Sequence, residues 1–99
     1  NLTKDFGDFG LKFSGINITA GNINLTGTSF TNSNLTATSG DLTIDNKGGA
    51  LGLSNTALNA SSGNISLTGG SISLTGGQDV TAGKDIMLNA SKGGVNITG

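Results

Sequence analysis

Chemistry needs groups that titrate, attack or coordinate, and this 99-residue sequence carries few of them. It holds no His, Cys, Glu, Arg, Tyr or Trp. The usual general bases, activated nucleophiles and sugar-stacking rings are therefore missing. Its acids are six Asp and its bases five Lys. Three pairs of Asp lie close in sequence: Asp5 with Asp8, Asp41 with Asp45, and Asp79 with Asp85. None is joined by the further acids or bases of a catalytic cluster, so the reading is a non-enzyme with no cofactor. Gly76-Gly77-Gln78-Asp79 approaches the calcium-binding G-G-x-G-x-D phrase. That phrase needs a nine-residue repeat, which is absent here, and no metal site is expected. Asp79 and Asp85 are expected at corners, accepting backbone N–H groups.

The denser signal is N-x-S/T, the acceptor pattern for N-glycosylation. Asn1, Asn17, Asn24, Asn34, Asn59, Asn64, Asn89 and Asn96 each have Ser or Thr two residues later. Twelve Asn and 24 Ser or Thr in 99 residues would give about three by chance. The excess has a plain source as well. A strand with one inward apolar residue between outward polar ones spells N-Φ-T unaided, as in Asn17-Ile18-Thr19 and Asn96-Ile97-Thr98. On either account these Asn and Thr are expected to point outward, within reach of a glycosyltransferase. A T-x-T phrase such as Thr36-Ala37-Thr38 does not recur at a fixed interval, so the flat threonine ladder of ice-binding surfaces is not expected.

The elements that position these residues are legible in Gly63 to Gly77, G-N-I-S-L-T-G-G-S-I-S-L-T-G-G. Apolar and small polar residues alternate and then stop at glycine, which reads as a short strand, a corner and another short strand. No window carries the 3.6-residue stripe of a helix. Apolar centres fall into three families in constant order: Ile16, Leu35, Leu58, Val80; then Ile23, Leu42, Ile65, Ile86; then Phe30, Leu51, Ile72, Val95. Each family steps by about 21 residues, as a three-sided coil requires. The expected fold is all-β, a right-handed parallel β-helix with three short strands per rung and four to five rungs. Residues 15–99 form the repeat segment. Residues 1–14 are an irregular start, either a cap or an incomplete rung, in which Phe9-Gly10-Leu11-Lys12-Phe13 alternates cleanly. Asp45-Asn46-Lys47-Gly48-Gly49 reads as a polar turn that projects a small loop.

Composition narrows the classes further. Eighteen Gly without a triplet period exclude collagen, and a net charge of −1 gives no electrostatic case for nucleic acid or an anionic membrane. The longest apolar runs are too short for a membrane helix, and no signal-peptide pattern is present. The sequence opens on Asn1, which reads as an excised segment or a processed product. Open rung ends would be exposed strand edges that further chain or local caps must cover.

The phrases G-N-I-N-L-T-G (Gly21–Gly27), G-D-L-T-I (Gly40–Ile44), G-Q-D-V-T-A-G-K-D-I-M-L-N-A (Gly77–Ala90) and G-G-V-N-I-T-G (Gly93–Gly99) resemble haemagglutinin-type repeats. These repeats belong to two-partner-secreted exoproteins, among them filamentous haemagglutinin, the high-molecular-weight adhesins of Haemophilus-type bacteria and contact-dependent inhibition toxins. The resemblance covers Gly15 to Gly99, and Val80–Leu88 carries it most strongly. It implies a secreted chain at the bacterial surface, a virulence-associated glycoprotein adhesin in cell adhesion. It further implies an outer-membrane secretion pore and a host-cell receptor or glycan as partners, and a cytoplasmic enzyme that places hexoses on Asn. The motifs of a secretion domain are absent, which implies a shaft segment. The alternatives are a carbohydrate- or receptor-binding module of the same fold and the shaft of an inhibition toxin.

Overall fold

The computed structural model describes residues 2–5, 12–27, 29–46, 49–76 and 80–97. Fourteen short strands follow one another, and no helix occurs among the described residues. They are β1 (Leu2–Asp5), β2 (Lys12–Ser14), β3 (Asn17–Ala20), β4 (Ile23–Thr26), β5 (Ser29–Thr31), β6 (Asn34–Ala37) and β7 (Leu42–Asp45). Then come β8 (Ala50–Ser54), β9 (Ala57–Ala60), β10 (Ile65–Gly69), β11 (Ser71–Thr75), β12 (Val80–Ala82), β13 (Ile86–Ala90) and β14 (Val95–Ile97). Every third strand shares a sheet. Sheet A runs β1-β4-β7-β10-β13, sheet B runs β2-β5-β8-β11-β14, and sheet C runs β3-β6-β9-β12. All pairings are parallel. The chain is a parallel β-solenoid of four turns and two strands of a fifth, with about 21 residues per turn.

The alternation in each strand sends one set of side chains to a common axis. Sheet A aligns Leu2, Ile23, Leu42, Ile65 and Ile86 in one column and Leu25, Ile44, Leu67 and Leu88 in another. Of these, Ile23, Leu25, Leu42, Ile44, Ile65 and Leu67 join Phe30, Leu35, Leu51, Leu53, Leu58, Ile72 and Leu74 in one continuous buried core, with Leu2 and Leu88 packed against it. A single turn cannot cover its own apolar face, and stacking does so turn by turn. Phe13 lies over Phe30 with ring centroids 5.8 Å apart, so aromatic stacking joins the first two turns. The whole measures 31 × 28 × 24 Å, so this length of solenoid is about as wide as it is tall.

Two columns differ from the sequence expectation, and one corner explains both. Between sheets B and C each turn passes through one left-handed residue: Gly15 (φ 69°), Asn32 (φ 51°), Asn55 (φ 49°) and Gly76 (φ 82°). Gly and Asn are the residues that occupy this region at least cost. Register in sheet B is counted back from that corner. Phe13, Phe30, Leu53 and Leu74 each stand two residues before it. Phe30 therefore pairs with Leu53 rather than Leu51, while Leu51, Ile72 and Val95 share the neighbouring column. Past the corner the same count puts Ile18, not Ile16, beside Leu35. The backbone N–H of Asn34 donates to Ile16 O, as that of Ala57 does to Ser33 O. Ile16 thus sits with Ser33 in the bend. The expected strand Phe9–Phe13 falls mostly outside the described residues; Lys12–Ser14 is its observed part.

Candidate functional site

The corner that leads into sheet A repeats one local device. Asn22, Asp41, Asn64 and Asp85 each stand immediately before the first residue of a sheet A strand. The Asp41 N–H donates to Asn22 Oδ1 at 2.9 Å. The Asn64 N–H donates to Asp41 Oδ1 at 2.7 Å, and the Asn64 side-chain amide reaches the same oxygen at 3.4 Å. The Asp85 N–H donates to Asn64 Oδ1 at 3.0 Å. Each side chain thus holds the main chain of the next turn, and alternating amides and carboxylates form a ladder along the corner. The short Asn and Asp side chains place an oxygen within reach of the next turn in this way. The residues before Asp41 and Asn64 must leave room. A Cβ on Gly63 would lie 2.3 Å from Gly40 O and 2.5 Å from Asp41 Oδ1. The sequence signal was the recurring G-[N/D]-Φ phrase at Gly21-Asn22-Ile23, Gly40-Asp41-Leu42 and Gly63-Asn64-Ile65, which composition alone does not flag as a ladder.

Beside this ladder lies a shallow polar depression of about 250 Å³, lined by Thr3, Asn22, Ile23, Asn24, Asp41 and Thr43. It offers amide, hydroxyl and carboxylate groups on a rigid strand surface, donors and acceptors suited to a polyhydroxylated ligand. Asp41 and Asp45 do not act together, because extended β7 separates them by roughly 13 Å at 3.3 Å per residue. Asp8 and Asp79 lie outside the described residues. Among the described residues no three potential metal-ligating acids gather.

The acceptor asparagines spread over all three sheets. Asn24 and Asn89 stand exposed on sheet A, Asn17, Asn34 and Asn59 on sheet C, and Asn96 on sheet B. Asn17 and Asn34 are neighbours in register with Thr19 beside Thr36, and the Asn34 amide donates to Asn17 Oδ1 at 2.9 Å. Asn64 is half-buried, its side chain engaged in the ladder on both sides. Asn1 lies outside the described residues. In the expected loop at Asp45–Gly49, Asn46 is fully buried, while Lys47 and Gly48 lie outside the described residues. The Asn46 side-chain N–H donates to Ala50 O at 2.8 Å, and the Asn46 main-chain carbonyl accepts from the Gly49 N–H at 2.8 Å. Asn46 therefore works inward, fastening the turn to the core.

These features define a class first: a parallel β-solenoid with apolar interior columns, a left-handed corner and a side-chain ladder at a second corner. Within that class, residues 7–69 match the Toastrack DUF4097 family, and the chain belongs to it. No curated protein and no solved structure matches the chain.

Proposed function

We propose that this chain is a shaft segment of a secreted, surface-attached bacterial adhesin of the two-partner-secretion type. Its role is geometric and non-catalytic: it carries a binding region away from the cell toward host or neighbouring cells. The observation that carries the reading is the uninterrupted stack, in which every turn seals the one before it and presents small Thr, Ser and Asn side chains outward. Such a chain has little charge or bulk to impede its passage unfolded through an outer-membrane pore. Folding turn by turn outside the cell would then oppose its return. The haemagglutinin-type phrases at Gly21–Gly27 and Val80–Leu88 support the same reading.

Export tests it. Ile65→Asp and Ile72→Asp place charges in the buried columns of adjacent strands, whereas Thr43→Asp changes only the outer face. When the chain is carried by a two-partner export system, the first two substitutions abolish secretion and the third leaves it intact. Unchanged export of the buried variants would overturn the folding-driven reading. In the native host, an intact-mass measurement checks the Asn sites: each hexose adds about 162 Da. Asn24 and Asn59 are the accessible sites to examine first, and Asn64 the least accessible.

A second reading rests on the depression at Thr3, Asn22, Asn24, Asp41 and Thr43, where the chain would bind a host glycan directly. A glycan array separates the two: a shaft binds nothing, and a lectin selects a defined set that Asn24→Ala abolishes.

A further inference from the structure

One acceptor asparagine stands inside the polar depression. Asn24 lines it together with Thr3, Asn22, Asp41 and Thr43. In register Asn24 lies between Thr3 and Thr43, one strand spacing of about 4.8 Å from each. Asn22 and Asp41, joined by a ladder bond, close the side toward the corner. The bonds that Asp41 accepts from Asn64 fall on Oδ1, which leaves its other carboxylate oxygen for a hydroxyl. Three other acceptor asparagines are placed differently. The amides of Asn34 and Asn64 are committed to Asn17 and Asp41. Asn59 also lies between two threonines, Thr36 and Thr81, but Ala57 stands where Asn24 has Asn22.

We propose that Asn24 is an N-glycosylation site whose own hexose seats in this depression. The proposal rests on the reading that acceptor asparagines of this chain carry hexose. Attachment joins hexose C1 to Asn24 Nδ2, which gives up one proton. The C1–oxygen bond of a nucleoside-diphosphate hexose breaks at the same time, and the nucleoside diphosphate leaves. The linked ring then stands between the hydroxyls of Thr3 and Thr43, with the Asn22 amide and the Asp41 carboxylate at the corner. Sugar hydroxyls donate to the carboxylate in charge-assisted bonds. Tethering decides the occupant. The chain has no Trp or Tyr, so a glycan arriving from solution lacks the usual ring to stack on. A linked hexose needs none, because attachment gives it an effective concentration of roughly millimolar order, at which a few hydrogen bonds hold it. The seat draws its walls from β1, β4 and β7 and the corner beside them, so a seated sugar clips three successive turns together from outside.

Chemical attachment tests the seat without any transferase. The chain has no Cys, so Asn24→Cys and Asn59→Cys variants each take one glucose from glucosyl methanethiosulfonate. The thiol sulfur and the added sulfur replace Cγ and Nδ2, and C1 stands the same number of bonds from the main chain. Each glucosylated variant is compared with its methylthio-capped form by urea titration. The expected result is a higher unfolding midpoint with glucose at position 24 and an unchanged one with glucose at position 59. Nuclear Overhauser contacts join the glucose protons at position 24 to the Thr43 methyl group, and Thr43→Val removes the gain in midpoint. No gain at position 24, an equal gain at position 59, or a gain that survives Thr43→Val would each overturn the seat. Native-host chain in which Asn24 carries no hexose would overturn the modification itself, whatever the chemical variants show.

Discussion

Substituting Gly63 tests a close contact between turns. Added as Ala, its Cβ would lie 2.3 Å from Gly40 O, 2.7 Å from Gly40 C and 2.5 Å from Asp41 Oδ1. Ordinary contact begins near 3.4 Å, so the turns that open β7 and β10 must part by roughly 1 Å at this corner. Two bonds span the gap: the Asn64 N–H to Asp41 Oδ1 at 2.7 Å, and the Leu42 N–H to Asn64 O at 2.9 Å. At about 1 kcal/mol net for each bond, with some residual strain, Gly63→Ala costs roughly 2–3 kcal/mol. For a domain of this size that lowers Tm by about 10–20 °C. Gly52 is the control. It lies in β8 with φ outside the left-handed region and nothing within 4 Å of the added Cβ. Gly52→Ala should stabilise by about 0.4–1 kcal/mol, because the unfolded chain loses freedom that the folded strand never used. Urea titration followed by far-ultraviolet circular dichroism is the assay, since the chain has no Trp or Tyr for fluorescence. A Gly63→Ala variant within about 0.5 kcal/mol of wild type would refute the steric argument. So would a Gly52→Ala variant that is equally weakened.

Three further outcomes are expected in the same assay. Leu67→Ala, at a position with no exposure, costs about 2–5 kcal/mol, whereas Ile97→Ala costs under about 1 kcal/mol; equal losses would deny that the core deepens toward the middle turns. Asn32→Val, which forces a β-branched residue into φ 51°, costs about 1–2 kcal/mol, while Asn32→Gly is neutral or better; the reverse order would remove the left-handed corner as the register pin. Asp41→Asn keeps the oxygen that receives the Asn64 N–H and is close to neutral, whereas Asp41→Ala loses it at about 1 kcal/mol; equal effects from both would mean that charge rather than hydrogen bonding matters there.

How much of this was legible depended on how the information was stored. Sheet A was read correctly because Ile23, Leu42 and Ile65 each begin a strand just after a G-[N/D] phrase, and Ile86 just after Asp85, so pattern and corner agree. Sheets B and C were read two residues out at one end each, because the mean period hides an uneven count. Phe13 to Phe30 spans 17 residues and Phe30 to Leu53 spans 23. The extra residues enter at the Asn46 turn, upstream of the corner that sets register. Asn32 and Asn55 reveal that corner only through their φ angles, since most Asn elsewhere in the chain are simply outward polar positions. The ladder was half visible: Asp85 was expected at a corner, but the reach of Asn22, Asp41 and Asn64 to the following turn requires the turns to be stacked first.

The ladder's alternation of amide and acid also spaces like charges along the axis. Neighbouring turns are about 4.8 Å apart, so four consecutive aspartates would crowd negative charges at about that interval. With Asn64 between them, Asp41 and Asp85 are about 10 Å apart, close to the Debye length at physiological ionic strength. Their repulsion is then largely quenched by salt. A solenoid of any length built on this rule could extend its corner without accumulating electrostatic strain, whereas consecutive acids would make every added turn harder to hold in dilute buffer.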